Sequence, residues 1–179
     1  MKQFTSPPQH ESRPDENTTD LLLGRLRANP SVPIFELAQD DGTYTPLSTA
    51  DFIEEVKEVA KGLIATGIES GDVVAILSRT RYEWALADWA VWWAGGISVP
   101  IYETSSPSQI QWIASDSAAK YVLVESARHR EGVESVRGGL PALALVGVRG
   151  GGVREARQAL GAEVSDEDLE ARRTSRQLS

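Results

Sequence analysis

Cysteine is absent from this chain, and histidine occurs only twice, at His10 and His129. Without cysteine there are no disulfides and no thiolate metal sites, and the redox compartment is left unread. The two histidines fall in a polar tail and on a charged stretch, with no second ligand at useful spacing. Neither marks a metal site or a catalytic base. Positive charge is in short supply as well: 18 Lys and Arg face 26 Asp and Glu, a net charge of −8. That balance excludes a nucleic-acid partner, which needs a basic face to neutralise phosphates. It also works against electrostatic docking on an anionic membrane. Long apolar runs are missing too. The most apolar stretch, Trp84 to Ile101, is interrupted by Asp88 and broken at Gly95 and Gly96, whereas a transmembrane span needs about 20 nearly unbroken apolar residues. It reads as a buried helix and strand. The N-terminus, MKQFTSPPQHESRPDENTT, has no apolar core and is not a secretory signal. Residues 1–16 read as a flexible tail, and the default compartment is cytoplasmic.

What remains is ordinary globular material. The chain has 179 residues, 41% of them hydrophobic and 25% charged, which fits one soluble domain. Thr18 or Thr19 can cap a short helix over Asp20 to Ala28, stopped at Asn29-Pro30. Pro33 to Ala38 predicts a strand, Asp41-Gly42 a turn and Thr43 to Thr45 its antiparallel partner. Ser48 is a good N-cap with Asp51 three residues on, and Leu47 and Phe52 fall at the staple positions. Phe52, Val56, Val59, Ala60, Leu63 and Ile64 then keep a helical period up to Gly67. From Asp72 the pattern alternates. Strands are expected at Val73–Leu77, Ile97–Ile101 and Lys120–Val124, and a weak one over Ala142 to Val148. Helices are expected over Tyr82–Ala94, Ser108–Asp116, Ala127–Val136 and Val153–Leu160, with Ser165 and Asp168 capping a last polar turn that ends near Arg173. Continuous apolar strands alternating with helices are the pattern of a parallel sheet covered on both faces. The fold class is α/β, a mostly parallel sheet with helices on both faces, preceded by a small antiparallel hairpin.

The helix from Tyr82 carries Trp84, Trp89, Trp92 and Trp93. Apolar residues nearly all round it predict burial on more than one side, with Trp89 fully buried. Its aromatics serve as the wall of a ligand tunnel or, more simply, as core. Gly150 to Gly152 follows the weak strand and invites a nucleotide-binding reading, but the third position beyond Gly152 is Glu155 and no Gly-Lys-Ser/Thr occurs, so a flexible surface turn is expected. Glu163, Asp166, Glu167, Asp168 and Glu170 suit the first turn of a polar helix better than a metal or acid–base pair, which would need burial. Asp40-Asp41-Gly42 lacks the regular oxygen ligands of a calcium loop, and no Gly-x-Ser-x-Gly elbow occurs. Composition and motifs thus describe an α/β domain without a self-contained active site.

Four blocks, in order, carry a resemblance. Tyr44 to Phe52 resembles the Tyr-centred strand and capped helix that open the adenylating enzymes. Gly67 to Ile76 is similar to their Gly–Asp turn into the first core strand. Arg81-Tyr82-Glu83-Trp84 resembles the Arg-x-Glu-Trp helix start of long-chain fatty acid–CoA ligases. Ala94-Gly95-Gly96-Ile97-Ser98-Val99-Pro100-Ile101-Tyr102-Glu103-Thr104 resembles the next block, its Tyr-Glu-Thr ending pointing to the fatty-acyl branch. The resemblance covers about residues 20 to 175. It implies ATP, magnesium and coenzyme A as cofactors of the complete enzyme, with long-chain fatty acid and coenzyme A as partners and room for peripheral membrane association. The Thr-Ser-Gly-rich phosphate loop, the Tyr-Gly-x-Thr-Glu stretch, the ribose-binding Asp and the C-terminal lysine have no match in this chain. No catalytic, cofactor-binding or metal residue is therefore assigned, and no cofactor is expected for the chain alone. Tyr102 and Thr104, after a strand's C-terminal end, are the candidates for lining a pocket. The expectation is residues 17–179 as the first part of an AMP-binding domain, cut short before the phosphate loop and inactive by itself. Exposed apolar surface would then favour self-association. The alternatives are a stand-alone binding or regulatory module on the same scaffold, and a small nucleotide-binding domain using Gly150–Gly152.

Overall fold

The computed structural model describes residues 5–6, 16–140, 144–147 and 164–174. Helix α1 (Thr18–Ala28) begins at Asn17, not at a threonine cap. The Asn17 side chain accepts from Thr19 N at 2.9 Å while the Asp20 carboxylate accepts from Asn17 N at 3.0 Å. This reciprocal box satisfies two donors at once, which a threonine at 18 or 19 could not do with Asp20. Strands β1 (Pro33–Ala38) and β2 (Tyr44–Ser48) form the expected antiparallel hairpin. Asp41 accepts from Thr43 N at 2.9 Å in its turn, and Gly42 takes the left-handed conformation at φ 82°. Ser48 caps α2 (Thr49–Ala65) through Asp51 N at 3.1 Å.

The main sheet holds β3 (Val73–Leu77), β4 (Ile97–Ile101), β5 (Tyr121–Val124) and β6 (Ala144–Gly147) in the order β4-β3-β5-β6, all parallel. Helices α3 (Tyr82–Trp93), α4 (Pro107–Asp116) and α5 (Ala127–Glu134) make the connections. A final helix, α6 (Asp166–Thr174), starts behind Ser165, whose hydroxyl accepts from Asp168 N at 3.0 Å. The tail before Glu16 lies outside the described residues apart from 5–6, as do the Gly150–Gly152 turn and the helix expected over Val153–Leu160.

Alternation along the strands divides the core in two. Val74, Ile76, Tyr121 and Leu123 join one cluster with Phe52 and Val56 of α2 and Leu86 and Ala90 of α3. Ala75, Leu77, Val122 and Val124 join a second with Ile110 and Ala114 of α4 and Val133 of α5. β3 and β5 are almost wholly apolar and buried because both of their faces are covered. β4 is an edge. Ile97 N donates inward to Asp72 O at 2.8 Å, so residues 98 and 100 turn their backbone outward, and Pro100 has no N–H to offer there. A proline on an edge blunts strand pairing.

Trp89 is a correction. It is half-buried, in an edge-to-face pair with Trp92 at a centroid distance of 5.1 Å. The fully buried indole is Trp93, 1% exposed. At about 100° per residue, Leu86, Ala90 and Trp93 share one arc with Ala87, Val91 and Ala94, while Trp89 falls just outside its edge and Trp92 on the opposite side. The stripe through Tyr82, Leu86, Trp89 and Trp93 runs along the border of that arc, so it mixes core and rim. Asp88, also buried, lies on the same helix. Burial pushes its carboxyl above the usual range, opposed by a hydrogen bond with Ser98 on β4.

Candidate functional site

The sheet order reverses beside β3, with β4 on one side and β5 on the other. Their connections run over opposite faces, α3 in the first core cluster and α4 in the second. The carboxyl ends of β3 and β5 therefore flank a topological switch point, where open α/β sheets receive ligands.

Four charged side chains meet there. Ser78 to Arg81 leaves β3, and Glu125 directly follows β5. Glu125 Oε2 accepts from Ser78 Oγ at 3.3 Å and Arg79 N at 2.9 Å. Its Oε1 accepts from Arg79 Nε at 3.0 Å, Arg79 Nη2 at 2.7 Å and Arg81 Nη1 at 3.1 Å. Arg81 turns Nε and Nη2 to the two Glu83 oxygens at 2.5 and 2.7 Å. Beneath the ions lies a small cleft lined by Ile76, Trp84, Ala87 and Leu123, with Ser78, Arg81, Glu83 and Glu125 supplying its polar atoms. Arg81 is also the N-cap residue of α3, and its side chain makes no cap bond.

The Arg79 guanidinium, aided by the Arg79 amide and Arg81, holds Glu125 at about 2 against the opposing effect of burial. The Glu125 side chain is 10% exposed and Arg79 65%, so solvent screens part of the attraction. A depressed carboxylate stabilises the fold above its unfolded value and loses that contribution as pH falls through its folded one. Glu125→Gln is expected to cost about 1–3 kcal/mol at neutral pH. In urea titrations across pH, the gap to the wild type should close as pH falls from 4.5 towards 2. A gap independent of pH would show that Glu125 acts through shape rather than charge.

Tyr102 and Thr104 share the turn after β4, where Ser105 N donates to Tyr102 O at 2.9 Å. His129 Nε2 lies 3.2 Å from Glu103 O and ties that turn to α5. Both residues are exposed, Tyr102 at 82%, and neither lines the cleft. The acidic cluster is dispersed among separate partners: Asp166 meets Lys61, Asp168 meets Ser165 and Glu170 meets Arg173. Among the described residues no three His, Asp or Glu side chains are placed to hold a metal, and no helix is long and apolar enough to cross a membrane. His10, Glu163 and Gly150–Gly152 lie outside the described residues. The ionic network went unread in the sequence. Its signal was a carboxylate at the end of an apolar strand and an Arg-x-Arg after a neighbouring strand.

The family model described as "AMP-binding enzyme" matches residues 26–177. The chain belongs to that family. It is 34% identical over 143 residues to the long-chain-fatty-acid–CoA ligase FadD15 of Mycobacterium bovis, an alignment covering 80% of this chain and 24% of FadD15. It is 32% identical over 105 residues to the long-chain-fatty-acid–CoA ligase ACSBG1 of Bos taurus, covering 59% of this chain and 14% of that protein. Among solved structures, the anthranilate CoA ligase AuaEII in complex with anthranoyl-AMP superposes with TM-score 0.71 at 22% identity, over 86% of this chain and 29% of that one. The ligase FadD1 of Archaeoglobus fulgidus gives TM-score 0.70 at 15% identity, over 87% and 32%. These two show the fold. The chain spans about a quarter of FadD15, so it matches one part of an adenylate-forming enzyme.

Proposed function

We propose that this chain works as part of a long-chain fatty acid–CoA ligase, which joins ATP, fatty acid and coenzyme A to give acyl-CoA, AMP and pyrophosphate. The observation that carries this is the 34% identity to FadD15 over 80% of the chain. The chain's share is architectural: residues from 17 onward supply opening strands of the AMP-binding domain. ATP, magnesium and coenzyme A belong to the complete enzyme. Phosphoryl and adenylyl chemistry needs preorganised cations or amides around the phosphates. The described residues offer no set of acids for magnesium. Tyr102 and Thr104 border the pocket of the complete enzyme in this reading, because they follow a strand's carboxyl end.

Purified alone, the chain is expected to show no fatty-acid-dependent exchange of pyrophosphate into ATP across a panel of fatty acids. Joined ahead of the three quarters of FadD15 it does not match, it is expected to restore exchange. Exchange by the chain alone would overturn the architectural role, and a folded chimera silent with every acid would count against the ligase assignment.

A further inference from the structure

The connection from β5 into α5 fastens the loops on both sides of it. Glu125 holds the segment after β3 through Ser78, Arg79 and Arg81. Just beyond it, His129 reaches the other way, with Nε2 3.2 Å from Glu103 O in the turn after β4. A carbonyl oxygen only accepts, so the proton of this bond sits on Nε2. The lone pair is then on Nδ1, which is buried and has no partner among the described residues. Moving the proton to Nδ1 would bury a donor without an acceptor and set the lone pair of Nε2 against that of Glu103 O. Both penalties select the same tautomer.

The ring stands on a fixed base. His129 N donates to the N-cap hydroxyl of Ser126 at 3.2 Å, in the first turn of α5, and Val133 buries that helix in the second core cluster. The turn it reaches has less to lean on. Tyr102 and Thr104 are exposed, so the turn is placed by its backbone. Ser105 N donates to Tyr102 O within it, and Glu103 O ties it across to α5. We infer that His129 is a positioning residue, whose Nε2–H sets where the Tyr102–Thr104 turn stands at the end of the sheet. What the turn borders rests on the ligase reading; the bond itself does not. His129 touches no reacting atom and moves no proton in this role.

Nitrogen nuclear magnetic resonance of the whole chain, in mildly alkaline solution, reads the tautomer, with His10→Ala assigning the other ring. His129 is expected to show a protonated Nε2 and a bare Nδ1. The reverse pattern, or the averaged signals of a free imidazole, would overturn the inference without any substitution at His129. Amide exchange then reads the turn. His129→Phe keeps a flat ring and loses the donor, whereas His129→Gln keeps an N–H near the place of Nε2. Ser105 N is expected to exchange about fivefold faster in His129→Phe, the worth of one neutral hydrogen bond, and near the wild-type rate in His129→Gln, with β5 amides unchanged in both. Equal rates in the two variants would mean that the proton does not hold the turn. In the FadD15 chimera, His129→Phe should raise KM for fatty acid about fivefold with kcat little changed, and His129→Gln should restore it. An unchanged KM in an active chimera would overturn the positioning role. A chimera silent before any substitution counts against the ligase assignment alone, and the tautomer and exchange readings still decide the role of His129.

Discussion

Trp93→Ala is expected to lower stability by about 3–5 kcal/mol, the range for truncating a buried aromatic. Its indole is 1% exposed and joins the cluster that includes Phe52, Ile68 and Leu169, so the void would open between α3, α2 and α6. Among the described residues Trp93 Nε1 has no hydrogen-bond partner, and a buried donor left unpaired is itself costly. Trp93→Phe removes that donor while keeping a ring, and should cost much less than alanine. Trp89→Ala, on the rim, should cost about 1 kcal/mol, the common value for a single substitution. Urea midpoints at unchanged slope check all three. Equal losses for Trp89→Ala and Trp93→Ala would mean that α3 is rotated from the arc described.

The distinction between those two indoles shows where sequence reading stops. The bounds of β1, β3 and β4 were legible to the residue, because apolar runs bounded by turn residues leave little freedom. Ser48 was legible as a cap because capping is local. Coverage of both sheet faces was legible from the lack of alternation in Val73–Leu77 and Tyr121–Val124. Rotation of α3 was not, since a helix apolar on nearly every side has a weak preference for one face. The hydroxyls of Thr18 and Thr19 were the expected caps, but Asn17 caps the helix and Asp20 closes the box from the other side.

The switch-point cleft was not legible in the sequence. Open α/β sheets receive ligands at the carboxyl ends of strands, and Tyr102 and Thr104 follow one such end, that of β4. The cleft forms one strand over, between β3 and β5, because the crossover after β4 carries the chain past β3. That order is a tertiary fact. Glu125 and Arg79 lie 46 residues apart, and no local spacing links them.

The same limit applies at α6, and it sets up the second large effect. Ser165 and Asp168 announced a short polar helix, but nothing local explains why it stays attached. Arg173 does. Its side chain is 7% exposed, with Nη1 donating to Thr19 Oγ1 at 2.8 Å and to Asp20 Oδ1 at 2.7 Å. Nε donates to both Glu170 oxygens at 2.9 Å. The contact joins residues 153 positions apart and fastens α6 onto the capped start of α1, with Leu169 buried beside it. Removing the cation leaves Asp20 facing a site built for charge, with Thr19 buried at 3%. Arg173→Ala is expected to cost about 2–4 kcal/mol, somewhat under the range for breaking a fully buried pair, because Asp20 keeps some water. Arg173→Met keeps the apolar stem and loses the donors, so it should recover only the packing share. Lys61→Ala is the control. Its partner Asp166 is 84% exposed, and such surface pairs contribute about 0–1 kcal/mol and fade with salt. The Arg173 loss should barely change with salt. Hydrogen exchange should show α6 amides losing protection in Arg173→Met while β3 amides keep theirs. Wild-type protection of α6 in that variant would assign the attachment to Leu169 instead.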